Sequence, residues 1–174
     1  MNESPDDALE KSFVESPKTH FRHVYDRYSG PLYRYLYRFT GNNQASEEIL
    51  HDIFVELFGG RFKTVPGGTL KSWLFTVARN RGLNYQKKQS KVIDTDTRDL
   101  RCLTNLEEQT ISLDLHRRLS EAEDMLPVDI RETWTLRKSG LDNKQIAAIL
   151  AIPLGTVKSR FSRLVEYLRK EFET

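Results

Sequence analysis

The sequence predicts an all-α protein: two small helical domains joined by a flexible linker, the C-terminal one containing a helix-turn-helix. Three observations predict it. Apolar residues recur at steps of three and four along residues 17–88 and again along 113–174, the period of helices that bury one face. No stretch shows the strict alternation of a half-buried strand. Between the two blocks "QSKVIDTDTRDLRCLTNLEEQTIS" loses the period and turns polar, so residues 89–112 are predicted to be a linker.

Residues 1–16, opening "MNESPDDALE", are acidic and are predicted to form a disordered tail; they carry no signal-peptide pattern. In "HFRHVYDRYSGPLYRYLYRFTGN" the residues Phe21, Val24, Tyr28, Leu32, Leu36 and Phe39 share a stripe, with a break or bend expected at Gly30-Pro31. "GNN" at 41–43 predicts a turn. "ASEEILHDIFVELFGG" predicts an amphipathic helix stopped by Gly59-Gly60. After the "VPGG" loop at 65–68, "TLKSWLFTVARNRGLNY" returns to helical spacing with Leu70, Trp73, Leu74, Val77 and Ala78 inward.

The second block carries the clearest local signal. In "LDNKQIAAIL" Asp142 is a candidate N-cap, and Ile146, Ala147, Ile149 and Leu150 form an apolar face. Ala151-Ile152-Pro153 is a short connection to a second helix starting near Leu154. There Val157, Phe161, Leu164 and Leu168 must face inward. The opposite face presents Thr156, Lys158, Ser159, Ser162 and Arg163. Short donors and long cations on one helix face suit a DNA major groove. Arg160 and Arg169 fit phosphate or salt-bridge roles better than base reading.

Composition bounds the rest. The chain has 174 residues, 30% of them charged, and a net charge of only +2. The distribution says more than the total. From 61 to 91 the chain carries Arg61, Lys63, Lys71, Arg79, Arg81, Lys87, Lys88 and Lys91 without an acid. From 41 to 60 it carries Glu47, Glu48, Asp52 and Glu56 without a cation. Such blocks point to surfaces for partners of opposite charge.

The single cysteine, Cys102, excludes an internal disulfide and suits a reducing compartment. No apolar run reaches the roughly 20 residues of a membrane span, and a cytoplasmic location is expected. His20 and His23 lack further ligands for a metal, and no phosphate-binding loop or nucleophile elbow is present. No enzyme, metal or cofactor is expected.

In order along the chain, "FRHVYDRYSGPLYRYLYRFTGN", "SEEILHDIF", "SWLFTVARNRGLNY" and "LPVDIRETWTLRKSGLDNKQIAAILAIPLGTVKSR" together resemble bacterial extracytoplasmic-function (ECF) sigma factors, the compact two-domain RNA polymerase sigma subunits. The resemblance implies a region 2-like domain at 17–88, which binds core RNA polymerase and the melted promoter. It implies a region 4-like domain at 113–174, which reads upstream duplex DNA. The implied partners are the beta-prime clamp helices, the beta flap, promoter DNA and, in many relatives, an anti-sigma factor.

The resemblance assigns residues too. The acidic stripe Glu48, Asp52 and Glu56, with His51 beside it where the family usually has Gln, would meet the polymerase. Lys63, Lys71, Arg79, Asn80, Lys87 and Lys88 would line the melted strand, with the 63–71 loop shaping a pocket for a flipped base. Trp73 and Phe75 are candidate stacking residues, although Trp73 sits on the apolar stripe. The upstream element would fall to Thr156, Lys158, Ser159, Ser162 and Arg163. The linker acids Asp94, Asp96, Asp99, Glu107 and Glu108 are candidates to shield the basic surfaces. The helix-turn-helix by itself also fits a transcriptional regulator that is no polymerase subunit, but that alternative leaves the charge blocks of 41–91 without a role.

Overall fold

The computed structural model describes residues 5–62, 68–92, 123 and 125–172. Its helices are α1 (Pro5–Glu15), α2 (Pro17–Thr40), α3 (Asn43–Phe58), α4 (Leu70–Val92), α5 (Val128–Lys138), α6 (Asn143–Leu150) and α7 (Leu154–Phe172). No strand occurs among the described residues, and the all-α class stands. The backbone divides into two units, Met1–Leu100 and Arg101–Thr174, each taken by itself below. Residues 89–92, assigned to the linker from sequence, continue α4. The rest of that segment, with Cys102 and the linker acids, lies outside the described residues.

In the first unit α2 packs against α1, α3 and α4. At Gly30-Pro31, where a break or bend is expected, the helix is not broken: α2 runs through Pro31 as one helix. A proline in a helix interior costs about 3 kcal/mol. Here the buried stripe Val24, Tyr28, Leu32, Tyr35 and Leu36 continues on both sides of Pro31, and its packing offsets that loss. The helix stops at Gly41, whose φ of 60° is left-handed and whose N–H donates to the Tyr37 carbonyl. Asn42 then caps α3 by accepting from the Ala45 N–H at 2.9 Å. The Ser46 hydroxyl, fully buried, bonds the Asn42 carbonyl at 2.8 Å and lies 2.6 Å from the Thr40 hydroxyl.

The tail predicted at residues 1–16 does not hold for Pro5–Glu15, which form α1. Its acidic composition concealed one apolar anchor, Phe13, which is buried and faces Phe62 with ring centroids 6.5 Å apart. The acids have local partners. Asp6 pairs with Lys71 at 2.7 Å and Arg27 at 3.0 Å, and Glu10 accepts from the Leu70 N–H at 2.7 Å, satisfying a donor at the start of α4.

α4 buries Leu70, Leu74, Phe75 and Ala78. Gly82 packs tightly on α2: a Cβ there would lie 2.6 Å from Cγ of Phe39. Gly82→Ala should therefore destabilise the chain by about 1–3 kcal/mol through overpacking, even though alanine favours a helix interior by about 1 kcal/mol. Chemical denaturation followed by circular dichroism would register the loss. An unchanged midpoint would mean that Phe39 moves aside freely.

In the second unit Leu126, Ile130 and Leu164 form a buried cluster, with Trp134, Phe161, Tyr167 and Leu168 packed on it. Asp142 caps α6 as expected, in a full capping box. Its carboxylate accepts from the Gln145 N–H at 2.8 Å, and the Gln145 side chain accepts from the Asp142 N–H at 2.9 Å. Ala151 takes a left-handed φ of 54° in the connection, and the Ile152 N–H returns to the Ala147 carbonyl at 3.0 Å. α7 starts with the Thr156 and Val157 N–H groups donating to the Pro153 carbonyl. Val157 and Leu164 are buried, with Phe161 under the Arg137 guanidinium 4.9 Å from its centroid. The helix-turn-helix read from sequence is α6 and α7.

Candidate functional site

On α7, inward packing of Val157 and Leu164 turns Lys158, Ser159, Ser162 and Arg163 out to solvent and leaves Thr156 half-buried. The serine hydroxyls donate within the helix, Ser159 to the Thr156 carbonyl at 3.0 Å and Ser162 to the Lys158 carbonyl at 3.3 Å. Exposed hydroxyls can exchange such bonds for a base edge. Arg163 is less available than Lys158, because it donates to Asp129 at 2.9 Å. Arg160 lies against the same carboxylate at 3.3 Å and is largely covered, which fits a salt-bridge residue. Asp129, in the first turn of α5, thus anchors two α7 arginines.

In the first unit Asn80, Lys87 and Lys88 are exposed on α4, and Arg79 is half-buried. Asn84, which the sequence reading passed over, shares the exposed strip. Lys63 lies outside the described residues. Two expectations change. Lys71, with its side chain only 12% exposed, is held by Asp6 rather than presented to solvent. Phe75 is completely buried, with its ring 5.4 Å from Tyr35, so it is a core residue and cannot stack on a base. Trp73 is half-buried beside Phe62 at 5.7 Å. Both shifts come from contacts distant in sequence, with α1 and α2.

The Asp6 pair has a pH signature. Burial pushes the Asp6 carboxyl up, but the hydrogen bonds and charges of Lys71 and Arg27 outweigh it and hold its pKa below the ordinary 3.8. The unfolded chain titrates at its ordinary value. The pairing therefore adds stability above about pH 4 and loses it as pH falls through the lower folded value. Asp6→Asn is expected to flatten the acid limb of stability below pH 4, read by denaturation at stepped pH. Glu10, pushed up by burial, contributes with the opposite sign in both proteins, so the comparison isolates Asp6. A parallel acid limb in the variant would remove Asp6 from the balance.

α3 brings Glu48, His51, Asp52 and Glu56 to one side, with Glu48, His51 and Asp52 exposed. The acids are not idle. Glu48 accepts from Gln44 at 3.0 Å. Arg81 of α4 reaches Asp52 at 2.9 Å and Glu56 at 2.6 Å, and Glu56 also pairs with Arg61 at 2.9 Å. Sequence reasoning left Arg81 among the cations of the basic block 61–91 and missed this bridge.

Beside the stripe, α2 and α3 form a groove of about 860 Å³ whose apolar lining is Phe21, Tyr25, Tyr33, Phe54, Val55 and Phe58, with Arg34, Glu47 and His51 also lining it. Val55 is 55% and Phe58 56% exposed, and the Phe21 ring stands edge-on to Phe58 at 5.2 Å. The sequence carried a signal for it: Leu50, Ile53, Phe54 and Leu57 already fill one buried face of α3, which leaves Val55 and Phe58 as surplus apolar residues. An apolar groove of this size fits the apolar face of an amphipathic helix, and the α3 acids beside it favour basic residues on that helix's flank.

Among the described residues no cluster could hold a metal ion, and no helix is long and apolar enough to cross a membrane. The Sigma-70 region 2 family matches residues 24–92, the span from α2 through α4. The chain is 31% identical over 126 residues to the ECF RNA polymerase sigma factor EcfG of Rhodopseudomonas palustris, covering 71% of this chain and 69% of that protein. It is 25% identical to the ECF RNA polymerase sigma-E factor of Haemophilus influenzae, over 97% of this chain and 95% of that one. The sigma factor RpoE of Bartonella quintana, solved with the anti-sigma factor NepR, superposes with a TM-score of 0.68 at 27% identity, over 88% of this chain and 97% of that one. With one of these likenesses covering more than two thirds of a relative at over 30% identity, the chain belongs to the ECF RNA polymerase sigma factors.

Proposed function

We infer that this chain binds core RNA polymerase, directs it to promoters and so initiates transcription, acting in the cytoplasm as a binding subunit rather than an enzyme. Family membership supports the role. The observation that carries the division of labour is the pairing of an apolar groove with an acidic flank in the first unit and a basic, hydroxyl-rich helix-turn-helix face in the second. The groove and the stripe Glu48, His51, Asp52 and Glu56 form the polymerase-facing surface; Asn80, Asn84, Lys87 and Lys88, with Arg79 at the edge, face the melted strand. Lys158, Ser159, Ser162 and Arg163 read the upstream duplex. Neither DNA surface needs high affinity alone, because one polymerase holds both at high effective concentration.

The solved relative is complexed with an anti-sigma factor. An inhibitor of that kind is a candidate partner here, and an apolar groove on the polymerase-facing surface offers it a direct way to compete. The role is tested by initiation in vitro: core polymerase with and without the protein on fragmented DNA from its own source, with transcript starts sequenced. New starts sharing a two-part upstream motif are expected. No new starts and no polymerase binding would instead favour a regulator that acts without the polymerase.

A further inference from the structure

We propose that Arg81 is a positioning residue coupling the two surfaces of the first unit. In the free chain it is held by the α3 carboxylates; when a basic partner surface engages them, it turns to a phosphate of the DNA strand. The proposal rests on the reading of α3 as polymerase-facing and α4 as strand-facing. Arg81 uses both ends of its fork, Nη1 to Asp52 and Nη2 to Glu56, which lie one turn apart on α3. Its side chain is 28% exposed, so these charge-assisted bonds are only partly screened by water.

On its own helix Arg81 stands three residues before Asn84 and seven before Lys88, a spacing that puts all three on one strip. Asn84 and Lys88 are exposed. One guanidinium thus borders the acidic stripe on one side and the strand-facing strip on the other. The exchange has a route. Asp52 is 62% exposed and open to an incoming cation, and Glu56 keeps Arg61 as an alternative partner when Arg81 leaves.

A cation docked on Asp52 weakens the hold on Arg81 and lowers the cost of turning it to a phosphate. By linkage, a phosphate that captures Arg81 leaves Asp52 uncompensated and raises its affinity for the basic partner by the same factor. Arg81 then contributes to strand binding only where a basic partner occupies the α3 carboxylates. No large rearrangement is required.

The test is binding of a labelled single-stranded oligodeoxynucleotide to the full chain at low salt, followed by fluorescence anisotropy. The wild type is compared with D52N/E56Q and with D52N/E56Q/R81Q. D52N/E56Q is expected to bind about fivefold or more tightly, and addition of R81Q is expected to remove most of that gain. A gain that persists without Arg81 would be general charge attraction and would overturn the proposal, as would equal binding by D52N/E56Q and wild type. Should D52N/E56Q fail to fold, D52N alone carries the same comparison with a smaller gain of the same sign. Loss of binding in K87A/K88A establishes the strand surface independently; no binding by any variant would overturn that surface and the coupling with it.

Discussion

Val55→Arg is expected to remove core polymerase binding while leaving the protein folded. Val55 sits mid-helix on α3 with more than half its surface in solvent, so the substitution forfeits little packing, and arginine is a good helix former. Surface changes of this kind stay within about 0.5 kcal/mol of wild-type stability. In the groove the consequence is different. A long cation would stand where an apolar anchor is to seat, and it would face a partner surface selected for basic charge by Glu48, Asp52 and Glu56.

Loss of a central contact in an interface costs about 2–4 kcal/mol, or roughly 30- to 1,000-fold in affinity. Titration of core polymerase with labelled protein would read it, with thermal unfolding as the control. Full binding by a folded Val55→Arg protein would move the polymerase surface away from the α2–α3 groove.

The second large effect belongs to α7. Replacing Lys158 and Ser159 by alanine should abolish use of the chain's own promoter without touching polymerase binding. Each specific base contact contributes roughly 1–3 kcal/mol of discrimination, so the pair accounts for about 30-fold or more in promoter occupancy. Lys158 is the sharper probe. Arg163→Ala removes a candidate reader but also takes one of two cations from Asp129, which mixes structure with recognition.

The α4 lysines should behave differently. Lys87→Ala and Lys88→Ala would weaken binding across all sequences and lower the salt slope by about one phosphate each. A promoter profile in which the Lys158/Ser159 variant initiates at the same sites as wild type, only less often, would reassign that face from reading bases to holding backbone.

The second unit was legible in the sequence because its determinants are local. Asp142 and Gln145 lie within one turn, and the step from Val157 to Phe161 to Leu164 is a helix repeat that leaves Lys158, Ser159 and Ser162 one side to occupy. The first unit was legible in its helices but less so in its charges. Lys71 and Arg81 look identical to other cations in the basic stretch until Asp6, 65 residues away, and Asp52, 29 residues away, are brought beside them. Phe75 looked available to a base because its burial depends on Tyr35 of another helix. α1 was missed because average composition outweighed a single phenylalanine. The groove was half-visible, as an apolar surplus on α3 whose partner face on α2 periodicity alone could not locate.

The corner between α2 and α3 has a kinetic consequence. The left-handed Gly41, the Asn42 cap and the linked hydroxyls of Thr40 and Ser46 fix the angle between the two helices that wall the groove. A cleft with a locked corner stands open before any partner arrives, so the freedom lost on docking falls mainly on the incoming helix. Rival helices would then race on encounter rate and residence time rather than on their ability to pry the cleft apart.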